Sequence, residues 1–246
     1  MIDMSVAGPE RLHTRITRLL ARRVLESSQR PDVLTFPKEA DLSAQLGVSR
    51  TVVRESMKVL VDKGMVQMKP RAGTKARPRA DWRLLDPDVL AWQAQVTPSS
   101  ELLRHLCEVR LAIEPTAAGF AAVRATSGEL DAIGHSLRQR AGKGRTAVEE
   151  IIDLDLEFHS AIVAASHNPL LVELSQIIRT PIRTALACTS RFPSTVELGL
   201  EAQQTLLDCL RRRDPIAARR AAEAAVGLAM LAVEKVIRSQ KRKESK

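Results

Sequence analysis

The sequence has no tyrosine, and Trp and Phe together make up only 2% of it. Its cores must therefore be aliphatic, filled by Leu, Val, Ile and Ala. Cysteine is also scarce: Cys107, Cys188 and Cys209 are isolated and odd in number. That excludes a disulfide framework and a CxxC zinc site, and it suits small core residues in a reducing compartment. No stretch approaches the roughly 18 consecutive apolar residues of a membrane span. The N-terminal stretch carries Asp3 and no long apolar run, so no secretory signal is expected. These absences predict a cytoplasmic protein with no membrane partner. Histidine is sparse too: His13, His105, His135, His159 and His167 are all there are, and none follows position 167.

With 246 residues, 44% hydrophobic and 27% charged, the chain has the composition of an ordinary globular protein with room for two domains. The net charge of +9 is unevenly placed. Residues 1–80 hold 16 Lys or Arg against 8 Asp or Glu, and the rest of the chain holds 22 against 21. A basic unit joined to a near-neutral one points to a polyanion-binding module with a partner module of different purpose. A merely solvated basic surface is the alternative reading.

In the first part, Leu12, Ile16, Leu19, Leu20 and Val24 recur at helical spacing. Pro37 starts a short helix with Leu42 and Leu46 on one face, and Gly47 ends it. Ser49 is placed to N-cap the next helix, whose stripe is Val53, Met57, Leu60 and Val61, with Gly64 as the stop. Arg50 and Arg54 lie one turn apart, away from that stripe. "MVQMK" and "PRAGTKA" follow and read as a two-stranded wing. A short helix, a glycine turn and a helix with arginines in its first turns is the helix-turn-helix plan, in which the second helix enters the major groove. Arginine suits both the guanine edge and phosphate, and Ser49 and Thr51 can donate to phosphate oxygens.

The remainder is expected to be all-α. The pattern places a winged helix-turn-helix at residues 1–78, a linker at 79–98, a helical bundle at 99–238 and a charged, frayed tail at 239–246. Trp82, Leu84, Leu85 and Trp92 would dock the linker on the second domain. Ser127 is read as the cap of the helix carrying Leu130, Ile133 and Leu137, and Asn168 as the cap of a helix starting at Pro169. In "DLDLEFH", Asp155 and His159 share one helix face. They are either half of a metal site or a plain i,i+4 pair; Arg110 and Glu114 form a second such pair.

The stretch "FPKEADLSAQLGVSRTVVRESMKVLVDKGMV" and the basic wing resemble the winged helix-turn-helix of the GntR family of bacterial transcription regulators. The resemblance implies that Ser49, Arg50, Thr51, Arg54 and Gly73 contact operator DNA. Where the family often carries a DNA-contacting Arg, this chain has Ala40. "LCEVRLAIEPTAAGFAA", "DLEFHSAIVAASHNPLL" and "DCLRRRDPIAARRAAEAA" resemble the FCD effector-binding domain of the FadR subfamily. The linker "WRLLDPDVLAWQ" is similar to that of sugar-acid regulators in it.

Metal-binding FCD domains use an Asp and three His. Asp155 and His159 match one pair, but Gln203 and Ala225 fall where the other two ligands would be. The resemblance therefore implies a site without a complete metal set; if a divalent metal binds at all, Asp155 and His159 hold it. Arg110, matching the family's "EVR" arginine, would hold a small carboxylate effector, with Asp155, His159 and Gln203 bonding its hydroxyls. The expectation is a homodimeric transcription repressor, not an enzyme, released from operator DNA by a sugar acid or related carboxylate. The alternatives are a helical domain that only dimerises, binds a metal or takes another acid. Last comes a metal-dependent hydrolase using Asp155 and His159 with Glu157 as base.

Overall fold

The structure is a computed structural model that describes residues 12–28, 32–69, 73–96, 100–143, 147–189 and 193–244. The chain divides into two compact units, Met1–Val96 and Thr97–Lys246. The expected wing tip at 70–72 and parts of the expected loops at 144–145 and 191–192 lie outside the described residues.

The first unit opens with α1 (Leu12–Ser27), which buries Ile16, Leu20, Ala21, Val24 and Leu25. Leu12 and Leu19, expected in that stripe, are exposed. After β1 (Thr35–Phe36) come α2 (Glu39–Leu46) and α3 (Arg50–Asp62). Gly47 closes α2 in the left-handed region at φ 65°, which costs glycine little and an L side chain much more. Ser49 caps α3 as expected, accepting from the Val52 N–H at 3.3 Å.

Helix α3 buries Val53, Ser56, Met57 and Leu60. Val61 is exposed, and the buried hydroxyl of Ser56 instead points at the His13 carbonyl of α1, 3.4 Å away. Periodicity alone favours the apolar residue, so the sequence did not betray that exchange. The wing strands β2 (Val66–Lys69) and β3 (Gly73–Ala76) are joined by β1 in an antiparallel sheet of order β1-β3-β2. The sheet is thus three-stranded, not two-stranded. At two residues β1 is too short to display alternation, yet it pairs Thr35 with Lys75 and buries Phe36.

The segment expected as linker belongs to this first unit. A 3-10 turn (Arg79–Asp81) leads to Trp82, and α4 (Pro87–Gln95) carries Trp92. Both indoles lie in one apolar cluster with Ile16, Leu20, Phe36, Leu42, Met57 and Leu60. The expected docking on the second domain is corrected accordingly; Leu84 and Leu85 are exposed. A polar clasp fixes the segment. Lys63, at the C-cap of α3, reaches Asp86 at 2.7 Å and Asp88 at 2.8 Å, and its ammonium sits 5.5 Å from the Trp92 ring centroid. Burial opposes the charge on Lys63, but the two carboxylates outweigh it and raise its pKa. Asp86 also caps α4 by accepting from the Asp88 and Val89 N–H groups.

The second unit is helical: α5 (Ser100–Arg124), α6 (Ser127–Ala141), α7 (Val148–Ala165), α8 (Pro169–Thr189), α9 (Pro193–Arg211) and α10 (Pro215–Glu244). The true cap of α6 is Thr126, in a reciprocal capping box with Glu129, rather than Ser127. Asn168 does cap α8, accepting from the Leu170 and Leu171 N–H groups. Helix α10 continues through 239–244, where a frayed tail was expected.

Among the described residues the apolar interior is aliphatic apart from Phe158 and falls into two clusters. Leu102, Leu106, Ile113, Ile152, Leu156, Ile178 and Ile182 form one. The other joins Ala118, Ala121 and Ala122 of α5 to Phe158, Ile162, Leu206, Leu210, Ala218 and Ala222. The alanines leave α5 and α10 free to approach closely: a Cβ added at Gly119 would meet the Pro215 carbonyl oxygen at 3.4 Å. Both α5 and α7 contribute residues to each of the two clusters, and Glu114 falls in sequence between Ile113 of one and Ala118 of the other.

Candidate functional site

Ser49, Arg50, Thr51 and Arg54 are all exposed at the N-terminal end of α3, opposite the buried Val53, Met57 and Leu60. Capping fixes Ser49 at that end, and the 3.6-residue period puts Arg50 and Arg54 one above the other. Gly73 is exposed at the start of β3 with φ 78°, a backbone state that favours glycine. Lys69 and Lys75 are exposed on the two wing strands. The structure thus brings four of the expected DNA-contact residues onto one helix end.

In the second unit, four helices converge on a buried polar cluster. Helix α5 supplies Arg110 and Glu114, α6 Arg140, α7 Asp155 and His159, and α9 Gln203. Arg110 clamps Glu114 through Nε at 2.5 Å and Nη2 at 3.2 Å, with side chains only 5% and 10% exposed. Glu114 Oε2 also lies 2.8 Å from His159 Nδ1. Burial alone would raise the Glu114 carboxyl, but the Arg110 guanidinium and the His159 ring hold it well below the ordinary carboxylate range. Burial likewise opposes the charge on Arg110, and Glu114 more than restores it.

Gln203 links the other side of the cluster. Its Nε2 donates to Asp155 Oδ1 at 2.8 Å and lies 3.2 Å from His159 Nε2. Its Oε1 accepts from Arg140 Nη1 at 2.8 Å, and Arg140 Nη2 is 3.6 Å from Asp155 Oδ1. An imidazole protonated on Nδ1 alone satisfies both ring contacts, donating to Glu114 and accepting from Gln203. All four residues expected from the sequence, Arg110, Asp155, His159 and Gln203, therefore belong to one connected network.

Two members were not singled out as site residues. Glu114 was read only as the i,i+4 partner of Arg110. Arg140 sits in "RQRAGKGR", where its neighbours Arg138 and Lys143 are exposed and the charge run resembles a solvated face. The usable signal was register: Leu130, Ile133, Leu137 and Arg140 follow one inward stripe of α6. Glu157 is exposed on the other face of α7, in a surface cleft with Arg138, Lys143, Glu150 and Asp153. The structure does not bring it to Asp155 and His159 as a hydrolytic base.

The donor chemistry does not fit a metal ion. Asp155 and His159 offer electron pairs, but the third group facing them is an amide nitrogen, and Ala225 offers nothing. Among the described residues no group of three or more His, Cys, Asp or Glu is arranged to hold one. Among the same residues no helix is long and apolar enough to cross a membrane.

Residues 12–75 match the family model described as bacterial regulatory proteins, gntR family, and residues 105–227 match the FCD domain. The chain is 31% identical to the galactonate operon transcriptional repressor of Escherichia coli, over 85% of this chain and 90% of that protein. It is 30% identical to YieP, an HTH-type transcriptional regulator of the same organism, over 89% of this chain and 94% of that one. Among solved structures, Lar of Listeria monocytogenes shares the fold, with a TM-score of 0.64 at 15% identity, covering 93% of this chain and 99% of that chain. The basic unit with its exposed α3 and the helical unit with its buried polar cluster are thus the two modules of a DNA-binding transcription regulator, and the chain belongs to the gntR family of bacterial regulatory proteins with an FCD domain as its second module.

Proposed function

We propose that the protein represses transcription as a cytoplasmic homodimer bound to operator DNA and is released by a small carboxylate, in the first instance a sugar acid. Arg50 and Arg54 read base edges or phosphates from the first turns of α3. Ser49 and Thr51 donate to phosphate, and the chain turn at Gly73 brings the wing to the backbone. A single module reads few base pairs, so two copies on related half-sites are needed for specificity.

The observation that carries the effector half is the cluster of Arg110, Glu114, Arg140, Asp155, His159 and Gln203 inside an otherwise aliphatic bundle. Buried charges are expensive and add little net stability over an apolar core. A ligand-binding role accounts for keeping them. Glu114 holds the Nε and Nη2 edge of Arg110, so the Nη1 edge is the one a ligand carboxylate takes. Asp155, His159 and Gln203 then bond hydroxyls. The relative named for a galactonate operon supports a hydroxylated acid. A ligand that favours one arrangement of the helices shifts the dimer between DNA-binding and released states by its differential affinity.

Gel-shift titration tests this with DNA from upstream of the protein's own gene and a panel of aldonates and uronates. One of these acids is expected to weaken DNA binding at least about tenfold, a coupling of roughly 1.4 kcal/mol. If none does, the effector half falls. The mutual pairing within the cluster favours a second reading, in which the network is structural and the helical unit only dimerises. Thermal melts separate the two, because a ligand bound only to the folded state must raise the melting temperature.

A further inference from the structure

We infer that Arg140 is the resident cation of this site: with the Gln203 amide it orients, it stands in the place a divalent metal would take between Asp155 and His159, and ligand binding needs no metal. The first observation is the direction of the Gln203 amide. Its nitrogen faces both Asp155 Oδ1, at 2.8 Å, and His159 Nε2, at 3.2 Å. An amide nitrogen donates hydrogens and has no electron pair for a metal. Amide oxygen and nitrogen have nearly the same shape, so the orientation has to follow from the partners. Flipped, the oxygen would face the Asp155 carboxylate and the NH2 would face the Arg140 guanidinium, acceptor against acceptor and donor against donor. In the orientation observed, Arg140 Nη1 donates to Gln203 Oε1 at 2.8 Å and every contact is complementary.

The second observation is charge. Arg140 Nη2 lies 3.6 Å from Asp155 Oδ1, with side chains 5% and 14% exposed. A divalent ion held by Asp155 would face this guanidinium at short range with little water to screen the repulsion. The third concerns the histidine. Glu114 accepts from His159 Nδ1 at 2.8 Å, the arrangement that orients a metal-binding imidazole. The frame for a metal is therefore present, and the third position turns it away: Nε2 is occupied by an N–H from Gln203, with Arg140 behind it. The fixed guanidinium neutralises Asp155 continuously, so the charge balance of the site does not depend on metal supply. Arg140 acts on the ligand site through Asp155 and Gln203 and is a positioning residue.

The metal arms of the test need no effector. Protein purified without metal affinity or chelator is expected to carry substoichiometric metal and to melt at the same temperature with EDTA or zinc added. About one metal per chain, whose removal by EDTA lowers the melting temperature, would overturn the inference. The double variant Arg140→Ala, Gln203→His replaces the cation and the amide by an imidazole; zinc is expected to raise its melting temperature, and to do so much less for Gln203→His alone. A structural role for Arg140 would not produce that gain, and its absence counts against the inference. The last arm rests on the effector reading: an acid that releases DNA is expected to do so equally in EDTA. An effect that disappears in EDTA overturns metal independence and leaves the effector reading intact. Failure of every acid removes the effector reading and leaves the metal result standing.

Discussion

The Gln203 side-chain nitrogen lies 2.8 Å from Asp155 Oδ1, while its oxygen accepts from Arg140, so one amide ties α9 to both α7 and α6. Gln203 is itself buried. Its replacement by leucine keeps the bulk and removes both bonds, leaving Asp155 and Arg140 each short of a partner. Buried polar groups left unsatisfied in this way cost about 1–3 kcal/mol. Gln203→Leu is expected to lower the unfolding free energy of the second unit by that amount, read as a lower urea midpoint, without weakening DNA binding by the ligand-free protein. A midpoint equal to the wild type would mean the network contributes nothing to the bundle.

On the DNA side, Arg50→Ala and Arg54→Ala change exposed side chains on α3, so far-UV circular dichroism should stay the same. A bidentate base contact is worth about 1–3 kcal/mol, and its loss should relax sequence preference at one operator position. A phosphate contact should instead weaken all sequences alike and flatten the salt dependence by about one unit in log–log slope. Gel shifts on operator and scrambled DNA at several salt concentrations distinguish the two. Binding unchanged by both substitutions would remove α3 from the interface.

What the sequence revealed and what it hid follow from the reach of each signal. Local rules worked: the Ser49 cap, the Gly47 stop and the Asn168 cap each depend on residues within one turn. The Arg110, Asp155, His159 and Gln203 set was found through resemblance, not spacing, because its members lie on different helices. Arg140 was missed since a charge inside a basic run looks solvated until the inward stripe of α6 is followed to its end. The docking of Trp82 and Trp92 on the first unit was misread because an amphipathic segment names no partner. It was decided by Lys63 meeting Asp86 and Asp88 across more than twenty positions.

The capping box of α6 gives the pH dependence a definite sign. The Thr126 N–H bonds the Glu129 carboxylate at 2.7 Å and the His167 ring approaches it at 3.0 Å, lowering its pKa from the ordinary glutamate range to about 2. The charged form is thus favoured by folding. Its contribution is fully present above the unfolded value and is lost as pH falls through about 2. NMR titration should place the Glu129 carboxyl below the other exposed glutamates. Thr126→Ala removes the hydroxyl half of the box and keeps the backbone N–H, so it should cost about 1 kcal/mol at neutral pH and leave the Glu129 carboxyl still low, raised only by the lost hydroxyl bond. A Glu129 carboxyl that returns fully to its ordinary value in that variant would refute the backbone N–H as the main cause of the shift.

Among the described glycines, Gly64 alone joins a positive φ to a close backbone approach. Its φ is 75°, and a Cβ there would stand 2.4 Å from the Asp81 carbonyl oxygen, which is backbone and has no flexible end to move aside. Gly64→Ala therefore strains the turn after α3 and pushes on the segment leading into Trp82, whose indole N–H bonds the Arg77 carbonyl at 3.0 Å. The cost should exceed about 1 kcal/mol, since alanine is also disfavoured at positive φ. Lys63→Met, one residue earlier, should weaken the same corner by removing the clasp to Asp86 and Asp88 while sparing the backbone. The chain offers a clean readout: with no tyrosine and only Trp82 and Trp92, both packed in the first unit's core, intrinsic tryptophan fluorescence follows that unit alone. In both variants the fluorescence transition should move to lower urea while the far-UV signal, which the second unit's helices dominate, shifts less. Coincident fluorescence transitions in wild type and Gly64→Ala would show that the corner tolerates the added methyl and that the packing of this segment on α3 is looser than the contacts imply.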